Sequence, residues 1–115
     1  HPDVDVMHEE EREACDIFES CDICSFTSLL HSYRGRYMTP ILVNFEPGGE
    51  REFEHDGEEF VYVLKGEVTL FYENETFKLK TGDTFYLDSR KKHRFKACDK
   101  MQTVLLSVSF NYRRF

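Results

Sequence analysis

Two imidazoles and a carboxylate lie in this sequence at positions from which one ion could gather them. His55 and Glu59 are four residues apart, and His93 opens a later apolar stretch. In an extended strand, residues an even number apart project from the same face, so His55 and Glu59 share a side. Two imidazole nitrogens and one carboxylate oxygen form the facial set of non-haem iron(II) sites, with positions left open for substrate. The divalent candidates for this donor set are Fe, Mn, Zn and Ni. A plainer reading stands beside the metal: buried polar groups need partners, and these three satisfy one another in a hydrogen-bonded cluster. Redox catalysis by such a metal is the lesser expectation, so the chain is read as a binder before an enzyme.

Around His93 stand Arg90, Lys91, Lys92 and Arg94 in an otherwise acidic chain of net charge -7. They form either a rim that attracts an anionic effector or, as charge runs usually do, a solvated loop. Tyr62, Phe71, Tyr72, Phe85, Tyr86 and Phe95 alternate along apolar stretches. Strand aromatics are core or interface by default, but pockets are mostly apolar with a few polar groups. Tyr86 and Phe95 are the members placed to line one. Four cysteines are present, and Cys21 and Cys24 have the two-residue spacing of zinc or redox sites. A second such pair is missing, so reduced thiols are expected. Arg34, Arg36, Arg113 and Arg114 read as exposed or salt-bridged, and the terminal Asn-Tyr-Arg-Arg-Phe as a segment able to pack on another domain.

The elements that must position these groups read as strands. The chain of 115 residues suits one domain, and its 11 Phe and 6 Tyr favour sheet over helix. Apolar, β-branched or aromatic stretches cover 25–32, 38–46, 59–65, 68–73, 76–80, 84–88, 93–98 and 103–110. Pro47-Gly48-Gly49, Asp56-Gly57, Lys65-Gly66, Glu73-Asn74 and Thr81-Gly82-Asp83 supply turns between them. Many short strands at regular spacing indicate an all-β sandwich or barrel. Residues 1–24 are set apart as a linker, helical or irregular, with a helix or mixed segment over 7–20 and with Ile17 and Phe18 docking on the barrel. Residues 25–115 form the domain proper. The strand around Phe60, Tyr62 and Leu64 is apolar on both faces, which predicts a covering for each and hence a homodimer.

The stretch Pro47 to Val68, with His55, Glu59 and Gly66, resembles the first motif of the cupin family. Gly82-Asp-Thr-Phe-Tyr-Leu-Asp88-Ser-Arg90-Lys-Lys-His93 is similar to the second. Six residues separate Glu59 from Gly66 and ten separate Gly82 from His93, as in cupins. The resemblance runs from about Tyr37 to Phe110 and implies a double-stranded β-helix, a small jelly-roll barrel. It also implies His55, Glu59 and His93 as metal ligands. Phe53 stands where cupins usually carry a further ligand His, and Asp88, Arg90 and Ala97 replace the usual Pro, Gly and Asn, so three ligands are expected rather than four. Phe53, Tyr86, Arg90 and Phe95 are the residues expected to meet a bound small molecule.

The wording His55-x-Gly-Glu-Glu-Phe-x-Tyr-Val-Leu-x-Gly66 is similar to cupins fused behind a helix-turn-helix in bacterial regulators of the xenobiotic-response-element type. That resemblance implies a C-terminal effector-sensing domain, reaching DNA only through a helix-turn-helix segment that this sequence lacks. The His-Pro-Asp start without an initiator Met fits a piece of a longer protein. An acidic domain is a poor DNA binder by itself. With no 20-residue apolar run and no signal peptide, a cytoplasmic, membrane-free setting is expected. The alternative function is a small metal-dependent cupin enzyme of the oxygenase or isomerase type.

Overall fold

The computed structural model describes residues 3–111. Nine strands run through them: β1 (Cys24–Ser28), β2 (Met38–Phe45), β3 (Glu50–Phe53), β4 (Glu58–Lys65), β5 (Glu67–Tyr72), β6 (Glu75–Lys80), β7 (Thr84–Asp88), β8 (His93–Ala97) and β9 (Thr103–Phe110). One sheet has the order β1-β2-β9-β4-β7 and the other β3-β8-β5-β6, with every pairing antiparallel. This is the jelly-roll barrel of the cupin fold. The C-terminal Tyr-Arg-Arg-Phe, to which a packing role was assigned above, lies outside the described residues.

Alternation of side chains decides what faces inward. β2 turns Thr39, Ile41, Val43 and Phe45 into the barrel, β4 turns Glu59, Val61 and Val63, and β9 turns Thr103, Leu105, Ser107 and Ser109; all are buried. The second sheet answers with Val68, Leu70, His93, Phe95 and Ala97. The inward rows are aliphatic and aromatic at one end of the barrel and polar at the other, which is where the chemistry collects.

Two glycines hold the ends of β4. Gly57 has φ +103, and a Cβ there would sit 1.9 Å from the Phe110 carbonyl oxygen. Gly66 has φ +79, with a Cβ position 2.5 Å from Thr103 Oγ1. Only a residue without Cβ allows β9 to approach so closely.

Three sequence expectations are refined. A fourth member of the second sheet, β3, was not anticipated: Glu-Arg-Glu-Phe carries too little apolar alternation to announce a strand, and it forms because β8 offers it a partner. The segment before β1 is irregular rather than helical. It contains one 3-10 turn, Glu9–Glu11, and then runs along β1, with Cys15 N donating to Phe26 O (2.9 Å) and Ser28 N to Glu13 O (2.8 Å). Glu9 and Glu13 would repel at helical i,i+4 spacing, whereas an edge strand gives the backbone better partners. Finally, the outer face of β4 is uncovered in a single chain: Phe60, Tyr62 and Leu64 are exposed. Among the described residues no helix is long and apolar enough to cross a membrane.

Candidate metal centre

The polar end of the barrel brings together His55, Glu59 and His93. Glu59 is the second residue of β4 and His93 the first of β8, so they arrive from opposite sheets. His55 sits in the loop between β3 and β4. That loop is pinned by two backbone bonds to the end of β7: His55 N to Ser89 O, 2.9 Å, and Ser89 N to Gly57 O, 3.0 Å. One donor atom from each of the three side chains lies within 4.8 Å of the others. Glu59 and His93 are buried and His55 is half-buried.

The hydrogen bonds orient all three. His93 Nδ1 lies 2.8 Å from the Lys91 carbonyl and His55 Nδ1 lies 3.2 Å from the Asp56 carbonyl. A carbonyl only accepts, so each Nδ1 carries a proton and Nε2 is the ring nitrogen left to face the site. Ser107 Oγ donates to Glu59 Oε2, leaving Oε1 as the carboxylate's free atom. Oε1 and His93 Nε2 face each other at 3.4 Å, and neither has a hydrogen-bond partner. Two lone pairs pressed together in a buried site repel unless a positive centre lies between them, either a proton on the imidazole or a metal ion. Two nitrogens and one monodentate carboxylate oxygen, held from behind by carbonyls and a hydroxyl, fit a divalent first-row ion.

Aromatic rings close the space around these ligands. Phe53 stacks on His93 (centroids 6.1 Å, interplanar angle 26°), and Phe95 meets the same imidazole at 5.7 Å. Phe18, from the segment before β1, packs on His55 at 6.1 Å. What remains is a cavity of about 10 Å³ lined by Phe18, Phe53, His55, Glu59, Phe95 and Ser107, with their neighbours. That is room for about one water molecule.

A family match settles what this barrel is: residues 41–109 fit the family described as "Cupin domain". The chain belongs to the cupin family. Hydroxypropylphosphonic acid epoxidase from S. wedmorenis superimposes on this cupin with a TM-score of 0.80 at 21% identity, over 96% of this chain and 61% of that one. The Cupin_2 domain of an XRE family transcriptional regulator from Enterobacter cloacae gives 0.71 at 18% identity, over 81% of this chain and 100% of that one. A cupin superfamily protein from Desulfitobacterium hafniense DCB-2 gives 0.67 at 20% identity, covering 83% and 84%. The chain spans about three fifths of the epoxidase's length. No curated relative matches the sequence.

Within this cupin the expected ligand-lining residues part company. Phe53 and Phe95 lie beside His93, in the barrel. Tyr86 and Arg90 do not join them. Tyr86 pairs with Phe60 across β7 and β4, so it shares the outer face. It is 63% exposed, its hydroxyl donates to Glu58 Oε1, and it edges a separate groove of about 490 Å³ with Leu70, Phe77, Leu79 and Phe85. Arg90 grips Asp88 through Nε (3.0 Å) and an η nitrogen (2.7 Å), holding that carboxyl down to about 2. Lys91 meets Glu73 at 3.1 Å and Arg94 meets Glu50 at 2.7 Å, so three of the basic residues near His93 are engaged with acids. Cys24 is buried, with its thiol pushed up to about 11 chiefly by burial, while Cys21 is exposed. Neither belongs to a three-ligand cluster among the described residues.

Two contributors escaped the sequence reading. Ser107 was legible only as a hydroxyl on the inward parity of an apolar strand. Phe18 was expected to dock on the barrel, but nothing in its neighbourhood pointed to the polar end that holds His55.

Proposed function

We propose that this cupin is the small-molecule-sensing domain of a bacterial transcription regulator, acting in the cytoplasm, with a divalent ion on His55, Glu59 and His93 organising its pocket. The observation that carries the metal is the facing pair, Glu59 Oε1 and His93 Nε2, 3.4 Å apart and otherwise unpartnered. The regulator setting is supported by the cupin domain of the XRE family regulator, which superimposes over its whole length. A bound ion would supply a Lewis acid with positions open to an anionic or carbonyl-bearing effector. The effector would act through its differential affinity for two arrangements of paired domains. The exposed row Phe60, Tyr62 and Leu64, flanked by Phe110 and Met38, supplies an apolar face suited to a second copy. DNA would be reached only through a helix-turn-helix segment elsewhere in the protein.

A second reading, a small non-haem oxygenase- or isomerase-type enzyme, is favoured by the three-ligand set itself, which leaves positions open for substrate. Elemental analysis of the purified chain after dialysis without chelator is the decisive test. About one equivalent of iron, manganese, zinc or nickel per chain, lost in His93→Ala, is expected. Metal content unchanged in both Glu59→Ala and His93→Ala refutes the centre. Light scattering should show a dimer at micromolar concentration, and a monomer there refutes the paired arrangement.

A further inference from the structure

The segment before β1 places a ring and a carbonyl where a ligand would put its own. Phe18 lies in a slot walled by aromatic rings, with centroids 5.2 Å from Phe26, 6.1 Å from Phe53 and 6.1 Å from His55. The next residue, Glu19, offers its backbone carbonyl to Arg51 Nη1. The Arg51 guanidinium lies against the same walls, 5.1 Å from the Phe26 centroid and 5.4 Å from that of Phe53. Among the described residues Arg51 pairs with no carboxylate, in a chain with 22 Asp and Glu. A half-covered guanidinium is a strong anion partner, and here it is served by a neutral carbonyl and the Cys24 thiol.

The space left beside the ligands, about 10 Å³, admits no effector while Phe18 is seated. A dry apolar cavity that takes a benzene ring is roughly 150 Å³, the scale that vacating a phenyl side chain opens. The segment holding Phe18 is anchored before it by the buried Cys15 and two backbone bonds between 13–15 and β1, after it by the paired backbones of Cys21 and Cys24, and between them by the Arg51 bond to Glu19. Only the Phe18 ring and the Glu19 carbonyl need to leave for the slot to open, and the backbone bonds on either side of them can stay.

The geometry points to Phe18–Glu19 as an internal occupant of the effector site, and to a small aromatic carboxylate as the effector class. The ring of such a molecule takes the Phe18 slot, and its carboxylate replaces the Glu19 carbonyl on Arg51. This assignment rests on the sensing reading above, but it requires no metal. Binding and displacement are then one event, and the released segment carries the signal toward whatever precedes it in the chain.

Phenylacetate is the probe, titrated by calorimetry into the full chain and its variants. Phe18→Ala removes the competitor, so its affinity should exceed wild type by about 10- to 100-fold, the factor by which a mostly closed site depresses apparent binding. Adding Arg51→Gln to Phe18→Ala should weaken phenylacetate at least tenfold and leave benzyl alcohol unchanged. In the wild type, a fluorine label on the Phe18 ring should move to a solvent-like resonance on titration, which tests the idea even if Phe18→Ala folds poorly. Phenylacetate bound no more tightly by Phe18→Ala, affinity indifferent to Arg51→Gln, or a Phe18 resonance that stays put each overturns the inference. Metal content measured on the same samples separates the two readings. Metal retained without phenylacetate binding sinks this inference alone, whereas phenylacetate bound without metal upholds it and sinks the metal centre.

Discussion

Replacing Glu59 with glutamine should separate the metal from the fold, because the substitution repairs the apo site while disabling the holo one. At a pH that leaves His93 neutral, the wild-type apo protein sets Oε1 and His93 Nε2 against each other as two acceptors 3.4 Å apart with no hydrogen-bond partner, whereas a protonated His93 makes the same contact an ion pair. In Glu59→Gln the new side chain would keep its carbonyl oxygen on Ser107, where Oε2 now accepts, and would turn its amide NH2 toward His93 Nε2. One repulsive contact becomes a hydrogen bond. Leaving a buried acceptor unsatisfied costs about 1–3 kcal/mol, so apo Glu59→Gln should be more stable than apo wild type by about that amount. For a domain of this size that is roughly 3–6 °C in Tm per kcal/mol. Metal should reverse the order. An ion at 100 times its Kd stabilises the wild type by about 2.7 kcal/mol, and the neutral amide forfeits most of this. The assay is calorimetric melting of both proteins at mildly alkaline pH, where His93 is neutral, in chelator and then in excess Mn(II) or Zn(II). If Glu59→Gln melts below wild type in chelator, or gains as much as wild type from metal, the argument from the facing lone pairs is wrong.

Three further outcomes follow from the same structure. Phe53→His sets an imidazole beside His93, where Phe53 now stacks; with Co(II) as probe, tighter binding and a changed visible spectrum are expected, and an unaltered spectrum would show that position 53 does not reach the ion. His31 lies between two carboxylates, with Nδ1 2.7 Å from Asp5 and Nε2 2.8 Å from Glu11, and its pKa is raised above 6.5 by the bond to Asp5 first and that to Glu11 second. Its contribution to holding the N-terminal segment is therefore complete below about pH 6.5 and is lost as pH climbs through the raised value. Exchange protection of the His31 amide, which donates to Asp5 at 2.8 Å, should fall across that window, and protection independent of pH would refute the linkage. Gly57→Ala should cost clearly more stability in urea melts than Gly82→Ala. Both have positive φ, at about 1–3 kcal/mol of strain, but only position 57 adds a Cβ 1.9 Å from a carbonyl oxygen, with nothing within 4 Å at position 82; equal losses would refute the clash.

The sequence carried most of the barrel because inward and outward residues alternate so regularly. Eight of the strands were readable from apolar alternation between turn residues, and His55, Glu59 and His93 were singled out together, although His55 reaches the cluster from the loop between β3 and β4 rather than by strand parity with Glu59. What escaped was whatever depended on a partner. β3 has a charged sequence and becomes a strand only against β8. The segment over 7–20 was ambiguous because its acidic run suits a helix start, and its real partners, the Phe26 carbonyl and the Ser28 amide on β1, are supplied by tertiary structure. Tyr86 looked like pocket lining because it is close to the second motif in the chain, yet its register opposite Phe60 puts it on the outer face. Ser107 was indistinguishable from any inward hydroxyl until Glu59 was seen to accept from it.

The three donor residues are spread over both sheets, with Glu59 on the five-stranded one, His93 on the four-stranded one and His55 in the connection between them. An ion on all three would fasten one sheet to the other at the polar end of the barrel, where aliphatic packing is thinnest. It would work as a reversible crosslink, the counterpart of a disulfide in a chain whose cysteines are free. Mechanical or thermal separation of the sheets would then have to begin at the opposite, aliphatic end.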